Sequence, residues 1–360
     1  MRLHHAVSHP RAYTNYLENG VLIAAVAHAI VGLTLVWDKV LLGQTKSQSV
    51  VNYVFWLGAI GIFGCIVGIF GMRTPSLSML LIGLSSGGAD LIGSWAYYAA
   101  LKSGEASQTL AIMGGFGPLA TALIARPLLR EKLSGLTLWG FGLLVAGGFL
   151  MFLSQRVNVR KMLPPVLLAA GFLGLSNVLQ KIAFTALGFP TGFVFFSIGE
   201  FVLALLFLVP KNWRTEIVKG SEQAQPSSKV GYFSNRFLNG LGAFLVSFAV
   251  SRAHPALVSA ISGVRYAAIF VTVYLITRYR PRWLRETFTG WTLATKCAAT
   301  GFVIAGLAVV GIGGNIGGTT ALLVRTLTSL TAPRTLVQSW EPVQFQTKTG
   351  RYVQNTKSSS

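Results

Sequence analysis

Three ionisable side chains, Asp90, Glu200 and Arg265, stand near the middle of long apolar stretches. If those stretches lie in a bilayer, each charge costs at least about 2.5 kcal/mol at the centre and needs a partner or a watery cavity. Two carboxylates and one guanidinium cannot all neutralise one another. One reading is a structural pair, Arg265 with Asp90 or with Glu200, the remaining acid being protonated. The other is functional: Arg265 grips an anionic group of a bound solute bidentately, and a leftover carboxylate takes up a proton as the solute moves.

Further polar residues surround this trio in the sequence. Lys39 and Lys181 end apolar runs, where long side chains either snorkel to the interface or line a cavity from two equivalent positions. Asn177 lies four residues before Lys181 and so shares its helix face, with Gln180 beside it. His28 is a proton relay or a polar contact between helices. Trp95, Tyr97 and Tyr98 offer flat surfaces for stacking, or anchors at the interface. Gly114, Gly115, Gly117 and Pro118 fall within one run. There a proline frees a carbonyl and glycines admit a neighbouring backbone, giving either a broken helix whose dipoles face a solute or a kink with tight packing.

Other chemistries lack their residues. There is no phosphate-binding Gly-rich loop with its lysine, no His/Cys cluster at metal spacing and no nucleophile with a plausible base. Gly313-Gly314 follows an apolar run rather than a strand and is no dinucleotide fingerprint. We therefore expect no cofactor, no metal and no enzyme. Cys65 and Cys297 both lie in apolar runs and read as small core residues rather than a disulfide. The net charge of +20 comes from basic residues in short loops, where they meet lipid headgroups. Membrane lipids, not nucleic acid, are the expected surroundings.

The elements that must position these residues follow from composition. Of 360 residues 52% are hydrophobic and only 11% charged, against about a quarter in soluble domains. Between Arg73 and Lys102 the only charge is Asp90, and between Lys132 and Arg156 there is none. Runs of roughly 20 apolar residues cross a bilayer as helices. They are expected at Gly20–Leu42, Val51–Met72, Leu77–Leu101, Ala106–Leu128, Leu133–Leu153, Leu163–Leu187, Thr191–Val209, Tyr232–Ser251, Ala256–Thr277 and Thr289–Gly313. The eighth is the weakest, because Arg236 and Arg252 leave 15 uncharged residues between them. Lys211–Lys229 reads as a mobile loop. The basic N-terminus leads into a first membrane helix rather than a cleaved signal, since no small-residue cleavage site precedes Trp37-Asp38-Lys39.

Internal repetition orders these spans. Arg130-Glu131-Lys132-Leu133-Ser134-Gly135 recurs 155 residues later as Arg285-Glu286-Thr287-Phe288-Thr289-Gly290. Val36-Trp37-Asp38-Lys39 matches Val178-Leu179-Gln180-Lys181, and Ala99-Ala100-Leu101-Lys102 matches Ala249-Val250-Ser251-Arg252. Five helices thus repeat as five, and an odd number makes the second copy insert upside down. The expected fold is an all-α membrane protein with ten transmembrane helices as two inverted five-helix repeats. Its parts are an N-terminal tail (1–19), a first repeat (20–153), a linker (154–162), a second repeat (163–314) and a disordered polar tail (315–360). Glycines of spans five (Gly140, Gly142, Gly147, Gly148) and ten suit a homodimer contact.

Within the first half, Tyr97-Tyr98-Ala99-Ala100-Leu101, then Ala106, Gly117-Pro118-Leu119-Ala120, Glu131 and Gly140 follow one another in order. The sequence here resembles the drug/metabolite transporter superfamily, specifically proteins with two EamA-type halves. Lys39 and Lys181 fit the same pattern, whereas Ala268 stands where a second proline matching Pro118 is expected. The resemblance implies a ten-helix carrier of a small organic metabolite, working by alternating access and often as an exporter. Spans one, three, four, six, eight and nine would enclose the cavity, favouring Asp90 and Arg265 over Glu200. It implies both termini inside the cell, although loop charges of the two halves favour opposite orientations. The expectation is a secondary transporter in the inner or plasma membrane. Alternatives are a flippase for lipid-linked substrates, or a membrane scaffold or enzyme that transports nothing.

Overall fold

The computed structural model describes residues 10–44, 49–103, 106–129, 135–153, 159–223, 226–252, 255–280 and 290–313. Among them every regular element is helical: α1 (Pro10–Gln44), α2 (Val50–Gly61), a 3-10 helix continuing it (Ile62–Phe70), α3 (Leu77–Ser103), α4 (Ala106–Leu129), α5 (Gly135–Leu153), α6 (Val159–Leu187), α7 (Phe189–Leu206), α8 (Lys211–Gln223), α9 (Pro226–Arg252), α10 (Pro255–Ile261), α11 (Gly263–Tyr279) and α12 (Gly290–Gly313). Six of these stretches are long and apolar enough to cross a bilayer: Leu22–Leu41, Val50–Phe70, Leu77–Ser103, Ile112–Leu129, Leu163–Leu187 and Phe189–Leu206. Helices also occupy the other expected spans, with shorter apolar runs at Leu138–Gly147, Ala268–Tyr279 and Leu293–Gly306.

Three boundaries differ from expectation. Helix α1 begins at Pro10, so half of the expected N-terminal tail is helical. The polar segment Lys211–Gln223 is helix α8 rather than a mobile loop. Two of its apolar residues face inward: Ile217 is buried, and Trp213 meets Phe207 at 5.0 Å and Trp95 at 6.2 Å between ring centroids, while Val218 is exposed. Trp56 Nε1 donates to Ser221 Oγ, which donates to Asn52 Oδ1, tying α8 to α2. The ninth span is two helices, α10 and α11, joined at Ser262. Most of the linker and all of the polar tail lie outside the described residues.

Glycines set the closest helix crossings. Gly58, Gly61, Gly64 and Gly68 turn one face of α2 and its 3-10 extension toward α7, where an added Cβ would meet Ala204, Glu200, Ser197 and Val194 in turn. Gly87 of α3 and Gly199 of α7 place the two backbones in direct contact. Helix α5 packs on α12, where a Cβ on Gly147 would meet Ala299 O at 2.9 Å and one on Gly306 would meet Gly140 O at 2.8 Å. Gly140 and Gly147, two of the glycines expected to serve a dimer, thus meet α12, whereas Gly142 has nothing within 4 Å of an added Cβ.

The remaining packing follows a pattern. Helix α1 lies against α9, α10 and α11, while α6 lies against α3 and α4; α2 lies against α7.

Candidate functional site

Helix α3 carries Asp90 and α7 carries Glu200, and their carboxyl groups lie within hydrogen-bonding reach of each other. Glycine makes this possible: Glu200 Oε2 lies only 2.8 Å from where a Cβ on Gly61 would be. Ser176 Oγ of α6 donates to Asp90 Oδ1 at 3.2 Å, and Gln180 Nε2 donates to Ser176 Oγ at 3.0 Å. Gln180 Oε1 is buried and has no hydrogen-bond partner among the described residues. Glu200 therefore joins Asp90 instead of standing apart on an outer helix.

Arg265 meets neither acid directly. Its Nη2 lies 2.8 Å from His28 Nδ1, and His28 Nε2 lies 2.9 Å from Val258 O. Guanidinium only donates and a carbonyl only accepts, so the imidazole must be neutral with its proton on Nε2. His28 is 3% exposed. Gly32, one turn along α1, allows the approach, since its Cβ would sit 2.8 Å from Arg265 O. Among the described residues no carboxylate lies within ion-pair distance of Arg265, and its buried Nε has no partner.

The break in the ninth span joins these groups. Val258 O, near the end of α10, is taken by His28, while the next residue, Ser259, donates through Oγ to Thr121 Oγ1 at 3.2 Å. Asn177 Nδ2 of α6 donates to Ser259 Oγ at 3.4 Å, and Asn177 adjoins Ser176. A polar path thus runs from Arg265 through His28, Val258–Ser259 and Asn177–Ser176 to Asp90 and Glu200. It crosses α11, α1, α10, α6, α3 and α7.

Other predicted residues go elsewhere. Helix α4 runs unbroken through Gly114, Gly117 and Pro118. The proline there removes only one backbone bond, and Thr121 Oγ1 donates to Gly117 O at 2.9 Å. The helix break falls at Ser262 instead. Trp95 packs on Trp213 of α8, away from the path. Neither lysine snorkels: Lys39 Nζ donates to Leu101 O at 2.6 Å, and Lys181 Nζ to Val250 O and Ser251 O at 3.2 and 3.3 Å. Cys65 is half-buried and Cys297 exposed, so the latter is no core residue.

A second polar cluster was not expected from the sequence. Asp38 (0% exposed) forms an ion pair with Arg236 (4% exposed) of α9. Tyr53 and Tyr98 hydroxyls donate to its two oxygens at 2.5 and 2.7 Å, and Asn235 Nδ2 donates as well. Rings of Tyr53, Tyr98 and Tyr232 surround the guanidinium with centroids 5.3, 5.8 and 5.5 Å away. The signal was an arginine that shortens an otherwise apolar run, which a buried acid must answer. Lys296 of α12 is also fully buried and was overlooked.

Apolar helices bearing an internal polar path define an integral, multi-pass membrane protein. Residues 18–153 match the model of the EamA-like transporter family, a family of the drug/metabolite transporter superfamily. The first half of the chain is thus similar to membrane transporters of that type. A solved crystal structure of a protein shares the fold with a TM-score of 0.54 at 17% identity, covering 86% of this chain and 98% of that one. It is among 26 solved chains that match. No curated protein matches.

Proposed function

We propose that the protein is a secondary transporter, an exporter of a small anionic or zwitterionic organic metabolite, working by alternating access between two inverted five-helix halves. The observation that carries this reading is Arg265. Its guanidinium is held by a neutral imidazole rather than a carboxylate, so its charge stays available to a ligand's carboxylate or phosphate.

Helix pairing supports the two halves. Exchanging each span with the one five places on turns α1 against α9 into α6 against α3, and α1 against α10 and α11 into α6 against α4. The contacts α2 with α7 and α5 with α12 map onto themselves. Lys39 and Lys181 close equivalent helix ends across the same exchange.

Asp90 and Glu200 serve as the coupling site. Two carboxyls within hydrogen-bonding reach hold a shared proton more readily than two charges, and the path through Asn177 and His28 ties that proton to Arg265. The test is a proteoliposome assay with an imposed pH gradient, a trapped pH dye and a panel of organic acids and zwitterions. One panel member should discharge the gradient through wild type but not through Arg265→Ala. Discharge by none of them, or equally by both proteins, contradicts the reading.

A further inference from the structure

The Asp38–Arg236 cluster takes no part in the path just described, yet it is a dense buried polar assembly. It lies in the seam between α1 and α9, which belong to different halves on the two-fold reading. Above it in the same seam, Asn239 Nδ2 donates to Thr34 Oγ1 at 2.8 Å and Asn235 Nδ2 to Thr34 O at 3.1 Å. Tyr232 OH donates to Tyr53 O at 2.8 Å, and Arg236 Nη1 to Tyr98 OH at 3.0 Å. Four helices, α1, α2, α3 and α9, are therefore fastened at one point near the C-terminal end of α1.

A buried ion pair is poor support for stability, because desolvating both charges offsets most of their attraction. Its geometry here suits repeated making and breaking. If α9 withdraws Arg236, and Asn235 with it, Asp38 keeps donors from Tyr53 of α2 and Tyr98 of α3. The rings of Tyr53 and Tyr98 line the place the guanidinium leaves. Separation then needs only water to follow, which means opening of the seam.

The register that sets Lys39 on Lys181 sets Thr34 on Ser176 and Asp38 on Gln180. Ser176 and Gln180 lie in the seam of α6 with α3, where Ser176 meets Asp90 as Thr34 meets Asn239. The two seams are counterparts with different chemistry: one closes on opposite charges, the other on carboxyl, hydroxyl and amide. Rocking of one inverted half against the other opens one such seam without opening its counterpart.

We propose that Asp38 and Arg236 are the gating pair at one end of the translocation path, the seam of Ser176 and Asp90 being the gate at the other. The inference rests on the two-fold transporter reading. Its test uses full-length protein purified in detergent, with Cys65 and Cys297 replaced by serine and a single probe cysteine, Asn239→Cys or Ser176→Cys. The readout is the rate of modification by a charged thiol reagent. Neutralising the pair without changing its shape (Asp38→Asn with Arg236→Gln) should raise the rate at position 239 by about tenfold, while the rate at 176 stays level or falls. A rise at both positions means general loosening and a merely structural pair. No rise at 239 means that the pair does not hold the seam. Either outcome overturns the gate. Since no solute is involved, the transporter reading stands or falls separately on the Arg265 assay.

Discussion

Lys39 Nζ lies 2.6 Å from the carbonyl oxygen of Leu101, so a side chain of α1 closes the C-terminal end of α3. The last carbonyls of a helix lack partners within it and attract cations. A charge-assisted hydrogen bond at such a place contributes about 1.5–3 kcal/mol. Lys39→Met should lower stability by about that amount, read as a fall in melting temperature. Lys181→Met, acting on Val250 O and Ser251 O at the end of α9, should do the same. The double variant should lose about the sum, as separate sites do. An unchanged melting temperature for either single variant contradicts these roles.

The crossing of α3 and α7 depends on bare glycine. A methyl on Gly87 would run into Phe196 O and come within 2.6 Å of Glu200 N. Overpacking of this kind costs about 1–3 kcal/mol or more, and here it also pushes Glu200 off Asp90. Gly117, by contrast, has nothing within 4 Å of its added Cβ. Gly117→Ala should be neutral or stabilising by up to about 1 kcal/mol, the helix preference for alanine. Thermal unfolding of the two variants side by side checks the order, and equal effects refute it.

His28 accepts from Arg265 and donates to Val258 O at once. Alanine at position 28 leaves both groups unpaired inside the protein, a loss of about 1–3 kcal/mol. Glutamine can accept and donate together, so His28→Gln should recover part of that loss. If glutamine is no better than alanine, the relay through His28 is wrong.

Helix α8 is held by Trp213 against Phe207 and Trp95. Trp213→Ala should speed amide hydrogen exchange through Lys211–Gln223 while α3 and α7 keep their protection, since local opening follows lost apolar contacts. Unchanged exchange there means that the tryptophan does not anchor the helix.

Helix positions were legible because apolar length is a strong signal, and the repeat of Val36–Lys39 at Val178–Lys181 is the basis in sequence for proposing two related halves. What the repeat could not reveal was the destination of each side chain. The lysines read as interfacial because a sequence shows distance to a span end, not a neighbouring helix end. Glu200 was set aside by its helix, and only the glycine face of α2 shows how it reaches Asp90. Arg236 counted against its span because a lone arginine is costly in lipid, while Asp38 lies 198 positions away. The break in the ninth span carries no proline, so Ser262–Gly263 gave little warning. Helix α8 was missed because Trp213 and Ile217 are few apolar residues among charges.

The role of Arg265 as the solute's anchor is decided by the thermal stability of purified wild type and Arg265→Ala against metabolites grouped by charge. A ligand that binds only the folded protein raises its stability by about 2.7 kcal/mol at a hundredfold excess over Kd. Anionic or zwitterionic metabolites should stabilise wild type and leave a folded Arg265→Ala protein unmoved. Equal stabilisation of both proteins, or a response confined to cationic or neutral solutes, would contradict that role.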